Sequence, residues 1–155
     1  MRVVVQRVRN ASVHINGRTY ASINAGLAVL VGVAHGDSDQ DVAYLADKIA
    51  NLRILADDTG HMNRSVRDVG GEVLLISQFT LIADTRKGRR PSFKGAEVPE
   101  LASELIGNLA SALNDTGISV QTGKFQADMD VEIINQGPVT IIIDSQQRHL
   151  PRQSA

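Results

Sequence analysis

The sequence predicts an α+β fold: a curved, barrel-like, mainly antiparallel sheet covered by two helices. Three observations carry that reading. Short apolar stretches punctuated by turn residues dominate the chain, and two of them flank Asn16-Gly17, the dipeptide best suited to a two-residue hairpin. Two other segments, residues 38–52 and 99–114, repeat their apolar residues at helical spacing instead. Aromatic residues are few, with three Phe, two Tyr and no Trp, so the core must be built from Val, Ile, Leu and Ala. The β-branched members of that set favour a pleated surface.

In chain order, residues 3–8 read as a strand, and residues 11–15 and 19–23 as the arms of the Asn16-Gly17 hairpin. Gly26 opens Leu27-Ala28-Val29-Leu30-Val31-Gly32-Val33, a continuous apolar run suited to a buried strand. Ser38 can cap the helix that follows, and Val42, Leu45, Ile49 and Leu52 recur at spacings of three and four. Asp57-Asp58-Thr59-Gly60 is turn chemistry, within a loop that runs to Gly70-Gly71. Residues 72–81 form the next strand. It is apolar on both parities, Leu74 and Ile76 on one face and Val73 and Leu75 on the other. The second helix, residues 99–114, carries the stripe Leu101, Leu105, Leu109 and Leu113. Strands over 119–125, 129–135 and 139–143 complete the domain, which spans residues 1–144. The remainder, 145–155, is polar and aperiodic and is expected to be a disordered tail.

Composition removes several function classes. The chain has 155 residues and no cysteine, which excludes disulfides, thiolate metal sites and Cys nucleophiles. No apolar run approaches the ~20 residues of a membrane span. The start of the chain is too short and too charged for a signal peptide, so a cytoplasmic location is expected. The four histidines, at 14, 35, 61 and 149, lack ligand spacing, and no metal or cofactor is expected. The stretch from Gly117 to Lys124 resembles a phosphate-binding loop only superficially. It has one residue too many between its glycines, and Phe125 stands where a magnesium-binding hydroxyl is required. The net charge of −1 announces no nucleic-acid partner, but Arg86, Lys87, Arg89, Arg90 and Lys94 fall within nine residues. That loop reads either as a phosphate-docking element or as a solvated loop.

Two segments stand out chemically. Ser77-Gln78-Phe79-Thr80 puts three polar side chains at the end of an apolar strand, where they either close the sheet edge or meet a ligand together with free backbone N–H groups. Asn135-Gln136-Gly137-Pro138 interrupts two apolar strands, either as a hairpin turn or around a cis bond.

With Gln6-Arg7-Val8, Asn16-Gly17, Gly70-Gly71, Ser77-Gln78-Phe79-Thr80-Leu81, Gly88-Arg89-Arg90-Pro91-Ser92-Phe93, Thr122-Gly123-Lys124-Phe125-Gln126-Ala127-Asp128-Met129 and Asn135-Gln136-Gly137-Pro138-Val139-Thr140 in this order, the chain resembles the D-aminoacyl-tRNA deacylases over residues 1–144. The resemblance implies a homodimeric editing enzyme that hydrolyses the ester of D-aminoacyl-tRNA while rejecting L-aminoacyl-tRNA, with glycyl-tRNA partly escaping the filter. It implies a cis Gly137-Pro138 bond whose two carbonyl oxygens reach into the partner subunit's pocket and sense chirality. It further implies that Arg7 orients this segment, that Met129 lines the pocket, and that Ser77, Gln78, Phe79 and Thr80 form the catalytic segment, with the 2′-hydroxyl of the tRNA taking part. Arg86, Lys87, Arg89 and Arg90 are then the expected tRNA contacts.

Overall fold

The computed structural model describes residues 1–151. Its organising element is β1 (Arg2–Ile15), a single strand where the sequence suggested two. β2 (Arg18–Ile23) and β3 (Gly26–Gly32) follow one another along one edge of β1, both antiparallel to it. β8 (Asp130–Asp144) pairs antiparallel along the other edge for almost the whole length of β1. Asn16 and Gly17 both take positive φ, 51° and 73°, and form the tight turn that the dipeptide predicts.

Beyond β3 the sheet changes character. β6 (Glu72–Ser77) pairs parallel with β3, and β7 (Ser119–Thr122) pairs parallel with β6. The sheet is therefore mixed. Strand-rich sequence suggested mainly antiparallel pairing because the helices read as a cover. They are also crossovers: α1 (Asp39–Asn51) lies in sequence between β3 and β6, and α2 (Pro99–Asp115) between β6 and β7. Parallel neighbours cannot be joined by a tight turn and need such a connection. β4 (Leu55–Ala56) and β5 (Met62–Arg64) make a small separate hairpin around the Asp57–Gly60 turn.

The double parity of β6 has a direct structural cause. Val73 and Leu75 pack with Val3, Val5, Leu27, Val29 and Val31 beneath the helices, whose Leu45, Ile49, Leu105, Leu109 and Leu113 close that core. Leu74 and Ile76 face the opposite way, into a second cluster with Val8, Ala11, Val13, Ala21 and Ile23. The sheet curls around this cluster, bringing β2 against β6 and β7 and giving the nearly closed barrel. Ser38 caps α1 as expected, its N–H donating to Asp41 Oδ2 at 2.9 Å, and Pro99 occupies the first turn of α2. Leu101 departs from its predicted stripe and is 38% exposed.

The expected disordered tail is folded at its start. Ser145–His149 form a 3-10 turn, with Ser145 fully buried. The Met1 ammonium donates to Ser145 Oγ at 2.6 Å and pairs with Asp37 Oδ1 at 2.5 Å. Arg148 pairs with the buried Asp41. Polar residues that suggested disorder are there because the groups they satisfy are buried charges. Residues 152–155 of that predicted tail lie outside the described residues.

Candidate active site

β6 ends at Ser77, and the chain turns at once into a 3-10 turn, Phe79–Ile82. The turn is possible because Gly32 lies beneath it. A Cβ on Gly32 would stand 3.0 Å from Leu81 Cβ and 3.1 Å from the Gln78 carbonyl oxygen. The strand thus stops at Ser77, short of the predicted residue 81, and strand alternation does not extend to Gln78 and Thr80. They meet anyway, because the tight turn lets the Gln78 side-chain amide donate to Thr80 Oγ1. Gln78 N–H is held by the Val31 carbonyl at 2.7 Å, and Leu81 N–H by the Gln78 carbonyl at 3.1 Å. The first N–H groups of a helical turn have no acceptor within it. Among the described residues, those of Phe79 and Thr80 remain unclaimed.

This turn forms part of a cleft of about 790 Å³. Ser77, Gln78 and Phe79 line it on one side, and the 125–129 segment, including Met129, lines it on another. Ala102 and Ile106 of α2, with Val31, Val33 and Ile76, supply apolar surface. Phe79 is 58% exposed, and its ring meets Phe93 edge-on with centroids 5.0 Å apart. Two carboxylates also line the cleft: Asp128, which belongs to the Thr122–Met129 motif, and Glu97, which sequence reasoning missed. Glu97 Oε1 accepts from Val98 N–H at 2.8 Å and lies 3.1 Å from His35 Nδ1. The Val98 N–H, with His35 and Gly36 adding to it against some desolvation, holds this carboxyl below its usual range and ionised. With Oε1 so engaged, Glu97 ties the start of α2 to the loop after β3. The only sequence signal for it was its position just before the helix-opening Pro99.

Gly137 and Pro138 do not line this cleft, nor do Arg7 and Thr80. The segment is no hairpin turn: it lies within β8, and its peptide bond is cis. Gln6 pairs with Thr140 and Val8 with Asn135, so residues 136–139 bulge out opposite the single residue Arg7. Arg7 braces the bulge from below. Its Nε donates to the Gln136 carbonyl at 3.1 Å and its Nη1 to the Ile54 carbonyl at 2.7 Å. Gly137 has φ +123°, and a Cβ there would lie 2.6 Å from the Arg7 guanidinium. The backbone conformation favours glycine, and a side chain there would require the guanidinium to shift. Within one chain, then, the structure brings Ser77, Gln78, Phe79 and Met129 together and leaves Gly137-Pro138 exposed elsewhere.

The basic loop is pinned at its neck by the backbone pair Asp84–Ser92, at 2.8 and 2.9 Å. Asp84 stands two residues before the basic run. It grips Arg86 through two side-chain bonds, of 2.9 and 2.7 Å, and Arg86 drives its carboxyl down to about 2. Lys87, Arg89 and Arg90 are exposed and, among the described residues, have no acidic partner.

A mixed, nearly closed sheet with a cleft where its strand β6 turns away defines the class of fold and site. Comparison with known proteins then identifies the lineage. The family model described as D-Tyr-tRNA(Tyr) deacylase matches residues 4–144. A D-aminoacyl-tRNA deacylase of Geobacillus sp. (strain WCH70) is 54% identical over 148 residues, covering 96% of this chain and 97% of the relative. One from Desulfatibacillum aliphaticivorans is 55% identical over 145 residues, covering 94% and 99%. Among solved structures, the c-Myc DNA unwinding element binding protein superposes with a TM-score of 0.88 at 38% identity, covering 93% of this chain and 98% of that one. A probable eukaryotic D-amino acid tRNA deacylase shares the fold, with a TM-score of 0.80 at 14% identity over 92% and 97% of the two chains. The chain belongs to the D-Tyr-tRNA(Tyr) deacylase family.

Proposed function

We propose that the cleft at the end of β6 holds the aminoacyl ester and that Gly137-Pro138 of a partner subunit judges its handedness. As a member of its family the chain is a D-aminoacyl-tRNA deacylase, a hydrolase acting on an ester bond. The observation that carries the site assignment is the pair of unclaimed N–H groups on Phe79 and Thr80, beside a cleft of substrate size. Water adds to the ester carbonyl carbon, and the carbonyl oxygen gathers negative charge. The two N–H groups receive it, and one such donor is typically worth ~2.7–4 kcal/mol. The bond to the ribose oxygen then breaks, that oxygen takes a proton, and free D-amino acid and tRNA leave.

Thr80 is not the nucleophile in this account. Its hydroxyl accepts from the Gln78 amide, and an amide cannot act as the base that an alcohol nucleophile needs. The ester is already activated, so positioning and charge stabilisation suffice, and the neighbouring 2′-hydroxyl of the tRNA takes part. The chirality filter acts across a homodimer. An editing enzyme for many amino acids must sense Cα and ignore the side chain. Backbone carbonyls suit this task because their position depends on no rotamer. The exposed bulge braced by Arg7 supports this assignment. A glycyl ester, with no side chain at Cα, partly escapes the filter.

Mixed dimers test the arrangement. A Gly137→Ala subunit keeps its cleft but has a displaced loop, whereas a subunit with Phe79→Pro, which removes one N–H donor, keeps its loop but loses its cleft. Mixing the first with excess of the second should suppress hydrolysis of L-tyrosyl-tRNA, because each working cleft then meets an intact loop. Unchanged L-hydrolysis on mixing would assign the filter to the same chain.

A further inference from the structure

We propose that Gln126 reads the adenine at the 3′ end of the tRNA with its side-chain amide, an inference that rests on the function proposed above. Among the described residues, two that are not glycine take a positive φ. One is Asn16, in a hairpin turn where Asn is favoured. The other is Gln126, at φ 59°. It occupies the third position of a turn closed by Ala127 N–H donating to the Lys124 carbonyl at 3.2 Å. Glycine is the default residue at such a position, and Gln has no local preference for it. The backbone would be more comfortable with Gly, so what the site retains is the side chain.

That side chain is exposed, and Gln126 lines the catalytic cleft. Its amide has no hydrogen-bond partner among the described residues, whereas the other glutamine of the cleft, Gln78, is committed to Thr80. The turn itself is anchored: Gly123 N–H donates to the Leu75 carbonyl at 2.9 Å, and Phe125 is half-buried in the cleft wall. A fixed backbone therefore presents a free amide. A carboxamide offers an acceptor and a donor side by side, which complements the amino group of adenine and its adjacent ring nitrogen. The exposed ring of Phe79 lines the same cleft and supplies a stacking face, the usual partner of base-edge recognition in single-stranded RNA. The energetic logic agrees. An enzyme indifferent to the amino-acid side chain must draw its binding energy from the constant part of the substrate, and the terminal adenosine is that part.

The test uses tRNA acylated chemically with D-tyrosine and ending either in adenosine or in purine riboside, which lacks the exocyclic amino group. For the unmodified protein, kcat/KM should fall about 3- to 10-fold on loss of that group, the size of one neutral hydrogen bond. Gln126→Gly should bring the ratio of the two substrates to roughly unity while melting no lower, since glycine relaxes the left-handed backbone. Gln126→Asn, which tolerates that backbone but is one methylene short, should narrow the ratio in the same way. A ratio near unity in the unmodified protein, or an unchanged ratio in both variants, overturns the assignment. Absence of D-tyrosyl-tRNA hydrolysis by the unmodified protein would instead defeat the proposed function, and it shows without any variant.

Discussion

Gly137→Ala is the substitution whose outcome follows most directly from the geometry. A methyl group there would lie 2.6 Å from the Arg7 guanidinium and 3.0 Å from Val139 Cγ2, on a backbone with φ +123°. The first contact forces the guanidinium or the bulge to move, and the second asks Val139 to give by a few tenths of an ångström. An L-residue in such a backbone region costs of order 1–3 kcal/mol. The Arg7 bond to the Gln136 carbonyl is charge-assisted, a kind of bond worth about 1.5–3 kcal/mol, and it breaks if the guanidinium swings away. The anchor of Arg7 on the Ile54 carbonyl resists that swing, which favours displacement of the bulge. Roughly 2.5–6 kcal/mol is therefore at stake, most of it in the placement of residues 136–139 and not in the two cores. Every 1.36 kcal/mol lost from discrimination is tenfold. With about half of that energy reaching the discrimination between the two esters, the ratio of kcat/KM for D-tyrosyl- over L-tyrosyl-tRNA should fall by roughly ten- to a hundredfold. D-tyrosyl-tRNA hydrolysis should fall far less. The assay is parallel single-turnover deacylation of both esters, with urea unfolding as the control for stability. An unchanged D-to-L ratio in a folded variant would refute the reasoning, because the brace would then have no bearing on selection.

Three further outcomes are expected. Thr80→Ala should stay within about tenfold of full activity, since removing a covalent nucleophile costs on the order of 10⁶ in serine hydrolases; a loss of that order in steady-state kinetics would make Thr80 the nucleophile. Replacing Arg89 and Arg90 together by Gln should lower the slope of log K against log salt for tRNA binding by about 1.4–1.8, whereas Arg86→Gln, whose charge Asp84 already neutralises, should change it less; equal slopes for all variants would reduce the loop to a solvated one. Burial alone would push the Asp41 carboxyl up, but hydrogen bonds from Ser145, Ser38 and Arg148 outweigh it and bring it from 3.8 to about 2. A carboxyl lowered on folding stabilises the fold above its unfolded value, so that contribution should be lost as pH falls from 3.8 towards 2. Arg148→Gln should flatten this part of the stability–pH curve measured by urea unfolding, and an unaltered curve would deny Arg148 the role.

What the sequence displayed and what it concealed separate along physical lines. Both helices, the Asn16-Gly17 turn and the two-faced apolar strand β6 follow from periodicity and turn chemistry, which are local. The parallel pairing of β3, β6 and β7 depends on where helices carry the chain, and no residue pattern within a strand records its neighbour's direction. Gly137-Pro138 was visible as an interruption, but its place inside one strand opposite Arg7 is a matter of register between segments about 130 residues apart. The same holds for Glu97, Asp84 and Ser145. Each looked unremarkable alone, and each is explained by a partner that the fold delivers: His35, Arg86 and the Met1 ammonium.

The central claim is that one cleft hydrolyses the ester while a rigid backbone segment selects its handedness. Deacylation of D-tyrosyl-, L-tyrosyl- and glycyl-tRNA, measured side by side with the unmodified protein, tests it most directly. The account predicts rapid loss of the D-ester, persistence of the L-ester, and hydrolysis of the glycyl ester between the two. Comparable hydrolysis of the D- and L-esters would contradict it.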